Sequence, residues 1–413
     1  MNGSPSVAIE IAGIPVEFVL FGLTLLGVAL FHKWVLPIAL AGAAAITAYK
    51  LAFTGFSTGA GVKGLAGHLQ HEWATLANLL GLLSGFALLS RHFEKSHFPL
   101  LLPRFLPAGW LGAFGMLAAV FVLSGFLDNI AAALIGGAMA HQLFRARVHL
   151  AYLVAIVAAA NAGGAGSVLG DTTTTMLWLA GVQPLQVLHA YLAAAVALVI
   201  CGIPASIQQQ RLSPMLARVH SHVAIDWARA GIVALILAST VAANVMVNLY
   251  LPASADRYPV IGVAVWMAIV VSLPWRRPDW EVLPEALRGA LFLLSLVLCA
   301  SMMPVDRLPV PSAQSAFGIG VVSAVFDNIP LTALAIRQGG YDWGFLAYAV
   351  GFGGSMVWFG SSAGVALANQ YPESKSVWLW IRQGWPVALA YLAGFLAMLL
   401  ILGWNPAAIP AAK

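Results

Sequence analysis

Ten apolar stretches of membrane-spanning length run through the chain, near residues 11–31, 35–53, 73–90, 148–180, 185–205, 229–251, 258–274, 282–303, 343–369 and 386–403. A helix rises about 1.5 Å per residue, so roughly 20 apolar residues are needed to cross a hydrocarbon core about 30 Å thick. Only 8% of the 413 residues are charged, against about 25% in a soluble domain. Fifteen acids and twenty bases cannot cover the surface of a soluble fold this size. A soluble enzyme, a nucleic-acid binder and a disordered chain are therefore excluded, and the net charge of +5 comes from bases scattered through short loops. The expectation is an all-α polytopic membrane protein. The first apolar stretch carries Glu10 and Glu17 and has no Lys or Arg before it, so it reads as a retained helix, not a cleaved signal. Cys201 and Cys299 lie in apolar stretches and form no metal or disulfide pattern.

Two further stretches do not fit as spans. Residues 111–140 are apolar apart from Asp128-Asn129, and 313–336 contain Asp327-Asn328-Ile329-Pro330. Each is too long for one crossing or too polar at its centre, and Pro330 removes a backbone donor. A re-entrant hairpin in each case, turning at Asp-Asn, resolves the mismatch. Such backbone survives at membrane depth only when buried in protein or lining a wet cavity. Both flanks of the first hairpin are basic, with Arg91, Lys95 and Arg104 before it and Arg145 and Arg147 after it. The positive-inside rule then places both flanks, and the connection 206–228 with Arg211, Arg218, His220 and His222, in the cytoplasm. The second hairpin opens outward.

The two halves resemble each other. Ser124 to Ile130 matches Ser323 to Ile329, Gly163-Gly164 with Gly170-Asp171 matches Gly353-Gly354 with Gly360-Ser361, and Ala190-Tyr191-Leu192 matches Ala390-Tyr391-Leu392. With one hairpin opening inward and the other outward, the copies are inverted repeats, each holding a re-entrant hairpin and a broken helix. The boundaries are 1–90 (N-terminal helices, mostly scaffold), 91–205 (repeat 1, hairpin 111–140, broken helix 148–180) and 206–228 (cytoplasmic linker). They continue with 229–303 (second-half scaffold helices) and 304–405 (repeat 2 core, hairpin 313–336, broken helix 343–369). Inverted repeats with broken helices are the pattern of secondary transporters, which hold their site at the midplane between the repeats.

Four broken points converge under this symmetry. Glycines at 163, 164, 170, 353, 354 and 360 end helices and let backbones approach. Unwound ends free carbonyls for a cation, and half-helix N-termini offer N–H groups to an anion. Asn161, Thr172, Thr173, Ser355, Ser361 and Ser362 add neutral oxygens, with Thr172 or Thr173 expected to face the site while the rest of the threonine run bonds back to its helix. Asp128, Asp171 and Asp327 are acids in apolar surroundings, each costing about 2.5–3.5 kcal/mol on insertion scales. No Lys or Arg lies within ten residues of Asp171. A carboxylate that holds either a proton or Na⁺ is the minimal machine for exchange. A lone Asp-Asn pair would read as a helix cap, but two copies at equivalent apolar positions point to a site. Most of the ten histidines and fourteen tryptophans lie near membrane ends and read as interfacial; His68, His71 and Glu72 form one weak cluster.

At Ala160 to Trp178, Ser323 to Leu331 and Gly353 to Ala366 the chain resembles NhaD-type sodium/proton antiporters of the ion transporter superfamily. The resemblance extends from about residue 68 to 403. It implies a scaffold domain plus a transport domain, usually a homodimer, moving as an elevator. It also implies a prokaryotic inner-membrane protein exchanging Na⁺ or Li⁺ for H⁺, with no cofactor, no enzymatic activity and no nucleic-acid partner. Asp128 and Asp171 would bind the cation and carry the proton, assisted by Asn129, Asn161 and Thr172. Asp327, Asn328, Ser355, Ser361 and Ser362 would complete the site. The family's Leu-Thr-Thr after the first Asp-Asn reads Ile130-Ala131-Ala132 here, and its Ser-Pro-Ile-Gly-Asp reads Ser167-Val-Leu-Gly-Asp171. The family's third-helix Glu is absent from Ser84 to Ser90.

Two other readings stay open from the residues. A cation-coupled carrier of a carboxylate or oxyanion would use the same fold but must tolerate acidic hairpin tips. An intramembrane aspartyl protease would use two membrane aspartates, but Val168-Leu-Gly170-Asp171 lacks the first glycine of Gly-x-Gly-Asp, and the repeat would go unexplained.

Overall fold

The computed structural model describes residues 10–31, 34–98, 101, 105–215, 224–250 and 257–408. After a two-residue β-hairpin pairing Glu10–Ile11 with Ile14–Pro15, the described chain is helical. The first half comprises α1 (Val16–Leu30), α2 (Val35–Tyr49), α3 (Gly61–Lys95), α4 (Trp110–Ser124), α5 (Asn129–Leu143), α6 (Leu150–Ala165), α7 (Thr172–Leu179), α8 (Pro184–Leu188) and α9 (Ala190–Leu212). The second half comprises α10 (Trp227–Tyr250), α11 (Val260–Ser272), α12 (Leu283–Ser301), α13 (Ala313–Ser323), α14 (Asn328–Gln338), α15 (Trp343–Gly353), α16 (Ser362–Gln370) and α17 (Val377–Leu402). Six helical segments among the described residues are long and apolar enough to cross a membrane: 35–54, 61–95, 184–212, 227–247, 280–301 and 377–402. The protein is an all-α, multi-pass membrane protein.

Several spans differ from the expected bounds. The stretches at 11–31 and 258–274 yield helices of only 15 and 13 residues, because Pro15 and Pro259 stand at their N-terminal caps, after a strand in the first case and a tight turn in the second. The stretch at 73–90 belongs to a helix of 35 residues. Its polar first turns persist because His68 bonds Ser301 at 2.9 Å and Glu72 pairs with Arg337. The stretch at 386–403 begins nine residues earlier, since the helix runs through Pro386. Membrane helices tolerate such a proline when neighbours satisfy the freed carbonyl.

The two expected broken helices are broken. α6 and α15 are apolar on every face and buried on nearly every face, so they form the centre of the molecule. Each ends at its glycine pair, and the chain resumes as α7 or α16 after a non-helical stretch. α9 packs along α17, and both central helices rest on this pair. The Tyr348 hydroxyl donates to the carbonyls of Ala390 and Tyr391 at 3.1 Å.

Each Asp-Asn segment turns back on itself. The Tyr152 hydroxyl donates to Ala113 O at 2.6 Å, while its ring meets Phe144 edge-on at 5.2 Å. The start of α4 and the end of α5 thus lie at one level. In the second segment Gln338 Nε2 donates to Pro309 O at 2.7 Å. The turns press against the breaks. A Cβ on Gly163 would lie 2.0 Å from Phe121 O, and one on Gly353 would lie 2.1 Å from Gly320 O, so no side chain fits at either. Ser124 Oγ donates to Ala160 O at 2.5 Å, and Ser323 Oγ to Val350 O at 2.8 Å, the same contact in each half.

The connection around 206–228 touches both flanks of the first turn. Ser213 Oγ donates to Phe144 O at 2.9 Å and Gln209 Nε2 to Arg147 O at 3.0 Å. Asp226 N donates to Ser96 O at 3.1 Å. Nearby, Asp279 accepts from Lys95 at 2.5 Å and Arg91 at 3.0 Å, which together hold its carboxyl below the usual range. Arg104, Arg218, His220 and His222 lie outside the described residues.

Candidate functional site

Asp171 is the N-terminal cap of α7, 3% exposed, placed where the first broken helix resumes. The preceding Gly170 lets this break approach the first turn, since a Cβ there would lie 2.0 Å from Ser124 O. Thr174 and Thr175 fold their hydroxyls back onto the carbonyls of Ser167, Val168 and Asp171, at 2.5 to 3.0 Å. These bonds fasten the break and leave Thr172 to line the cavity described below. Thr173 is fully buried.

Both Asp-Asn turns reach this carboxylate. Asn129 Nδ2 donates to Asp171 Oδ1 at 3.3 Å and to Asn161 Oδ1 at 3.1 Å. Asn328 Nδ2 donates to Asp171 Oδ2 at 3.2 Å. Asn161 in turn donates to Ser355 Oγ at 2.9 Å and Ser361 Oγ at 3.0 Å. Six side chains expected from sequence therefore form one continuous buried network drawn from four broken points. The N-terminal cap of each following helix is Asp or Ser, so four half-helix N-termini aim partial positive charge at this region.

The other two aspartates stand differently. Asp327 Oδ1 accepts from Ile329 N at 3.0 Å and Oδ2 from Ser362 Oγ at 3.3 Å, so this carboxylate caps α14. Asp128 stands at the N-terminal cap position of α5 without a side-chain cap bond and lines the same cavity as Asp171. Arg145 and Arg337, the nearest bases in sequence to Asp128 and Asp327, pair with neither: Arg337 bonds Glu72, and Arg145 has no ion pair among the described residues. Among the described residues no three His, Cys, Asp or Glu side chains gather closely enough to hold a metal. An ion held here would therefore rely on one or two carboxylates completed by neutral oxygens.

A cavity of about 1530 Å³ reaches these groups. Asp128, Asp171, Thr172, Asp327, Ser361 and Ser362 line it, and its walls are largely aliphatic. It also touches Arg91, Glu94, Lys95, Glu285 and Arg288, near the Asp279 ion pairs. The cavity thus runs from that face to a buried carboxylate.

One supporting contact lay beyond the sequence reading. Trp380 Nε1 donates to Ser355 O at 3.1 Å and fixes the second break from behind. Like Trp178 and Trp343, Trp380 is buried, unlike the many exposed tryptophans that fit interfacial anchoring. Its neighbour Trp378 is exposed, so local composition carries no sign of the difference.

No family model matches the chain. It is 28% identical over 322 residues to sodium/proton antiporter 1 of Arabidopsis thaliana, covering 68% of this chain and 54% of that protein. It is 28% identical over 327 residues to sodium/proton antiporter 2 of the same plant, covering 68% and 75%. It is 28% identical over 304 residues to the Na⁺/H⁺ antiporter NhaD of Alkalimonas amylolytica, covering 60% and 61%. The chain thus spans just over half the length of the first of these. By sequence it is similar to sodium/proton antiporters, the bacterial NhaD among them.

Proposed function

We propose that the protein exchanges Na⁺ or Li⁺ for H⁺ across a prokaryotic inner membrane by alternating access. The observation that carries this is the Asp171 carboxylate, whose two oxygens each take an amide N–H from one Asp-Asn turn while no Lys or Arg among the described residues pairs with it. In the state described, amide donors occupy the carboxylate. Rotating the Asn129 and Asn328 amides would present their carbonyl oxygens beside it and assemble a neutral-oxygen and carboxylate shell for Na⁺. A proton on Asp171 would instead remove the charge that holds the ion. One buried carboxylate with two exclusive occupants converts a gradient of one into movement of the other. Asp128 repels a second negative charge nearby and is the second proton or cation acceptor.

The inverted arrangement is supported by α9. It is 23 residues long, about 34 Å. Its C-terminal end meets the base of the first turn through Gln209 and Arg147, while its N-terminal end packs on α15 at Gly344, close to where the second turn closes. The division into scaffold and transport units belongs to the same proposal; a second apolar cluster joins α1, α2 and α12 and also takes in Met176 of α7 and Ile329 and Ala333 of α14. Elevator motion and a homodimer belong to the same proposal. The carboxylate or oxyanion reading lacks a cation beside Asp171 to receive the anion.

Purified protein in proteoliposomes tests the proposal. A pulse of Na⁺ should dissipate an imposed pH gradient, and K⁺ or carboxylates should not. Dissipation by a dicarboxylate and not by Na⁺ alone would replace this reading with the symporter.

A further inference from the structure

At the far end of α14 lies a second charged contact that the site does not use. α14 begins at Asn328, bonded to Asp171, and carries Arg337 in its last turn. Arg337 pairs with Glu72 of α3, whose residue is 9% exposed. Among the described residues this is the only ion pair joining either Asp-Asn segment to α1, α2 or α3. The Phe56 and His68 rings meet at a tilt with centroids 5.6 Å apart, and His68 is bonded to Ser301 of α12. Neither Glu72 nor Arg337 lines the cavity that reaches Asp171 from the Arg91 and Lys95 face. The contact therefore closes the protein where the cavity does not open.

The chain around α14 is jointed. Gly339 and Gly340 follow at φ +70° and +75°, and a Cβ on Gly339 would meet nothing within 4 Å. At the other end lies the Ala324–Asp327 turn. α14 thus lies between two bends, packed on α12 and α7, with one ion pair to α3 and one amide on the site carboxylate.

We propose that Glu72 and Arg337 form the latch that keeps the site shut on the face opposite the cavity, and that each transport cycle opens it. This rests on the alternating-access reading above. Binding that rotates Asn328 would pull on the same helix whose other end the latch holds, which links occupancy to opening. Arg337 and Glu72 act as positioning residues; they touch neither ion.

The test uses the full chain with Ala131→Cys, a cavity-lining reporter outside the ligand set. Cys201 and Cys299 are buried and give little background. Labelling by a membrane-impermeant maleimide is timed from each face in right-side-out and inside-out vesicles. Glu72→Gln and Arg337→Gln should each raise the far-face to cavity-face rate ratio about fivefold. The swap Glu72→Arg with Arg337→Glu should return it toward wild type. An unchanged ratio in both single variants overturns the latch. Should the single variants fail to reach the membrane, Glu72→Cys with Arg337→Cys carries the test. A short bifunctional thiol cross-linker should then stop Na⁺/H⁺ exchange, and exchange that continues through the cross-linked protein overturns the proposal. Failure of alternating access itself looks different, because wild-type Ala131→Cys would then never label from the far face.

Discussion

Asn328 Nδ2 lies 3.2 Å from Asp171 Oδ2, across 157 residues of sequence. Each residue stands at the start of a helix, one after a turn and one after a break. Their contact joins the two halves of the protein at a single carboxylate, and the Asn129 amide repeats it on the other oxygen. The first consequence concerns which aspartate matters most. Asp171→Asn keeps the shape but removes the charge and the titrating oxygen, so exchange should fall to background in proteoliposomes. Asp327→Asn should retain measurable exchange, because that carboxylate caps a helix and Asn is an equally good cap. Equal loss in both variants would contradict this ranking.

Asn328→Ala removes the carbonyl oxygen that its rotated amide would offer to Na⁺ in the proposed bound state. Half-saturating Na⁺ should rise roughly tenfold or more, with a smaller change in maximal rate. Asn129→Ala should do the same, with the added loss of Asn161's anchor. Transport titrated against Na⁺ at fixed pH measures both.

Competition between Na⁺ and H⁺ sets a pH dependence. Where the site is mostly protonated, raising pH by one unit should tighten apparent Na⁺ affinity about tenfold if one proton is displaced per ion. The slope should flatten once the carboxylate is ionised. Calorimetry in two buffers of different ionisation enthalpy would count the released protons. Binding without proton release, strengthened by an added anion, would point to symport.

Cysteines replacing Phe105 and Arg145 should both resist an impermeant thiol reagent outside intact cells, since the 206–228 connection meets Phe144 and Arg147 on one flank of the first turn and Ser96 on the other. Labelling of one and not the other would mean that residues 111–140 cross the membrane.

The Asp279 carboxyl is held below its usual range by Lys95 and Arg91, so the sign of its linkage is fixed. Its contribution is fully present above the unfolded value of about 3.9 and is lost as pH falls through the folded one. Loop anchoring on this face should therefore be constant between about pH 5 and 8. At neutral pH, Asp279→Asn should speed tryptic cleavage after Arg276, and the ratio of variant to wild-type rates, which cancels the protease's own pH dependence, should stay constant across that window.

Much of this protein was legible in one dimension. The apolar stretches determine a helical membrane protein because a bilayer core admits few other backbones, and the duplicated Asp-Asn and Gly-Gly elements mark the turns and breaks because glycine and capping residues have local meanings. Helix ends next to Pro15 and Pro386 were harder to place, because whether a helix stops at a proline depends on what surrounds it. Tertiary structure alone decided how the acids divide their work. Asp128, Asp171 and Asp327 all read in sequence as acids in apolar stretches, yet only Asp171 receives an amide from both turns, while Asp327 spends its oxygens on Ile329 and Ser362. Partner choice of this kind is long-range, as with Arg337 bonding Glu72 across 265 residues and leaving Asp327, its near neighbour in the chain, without it. Local pattern determines where a helix breaks; only packing decides which broken ends meet, because their contacts come from helices far apart in sequence.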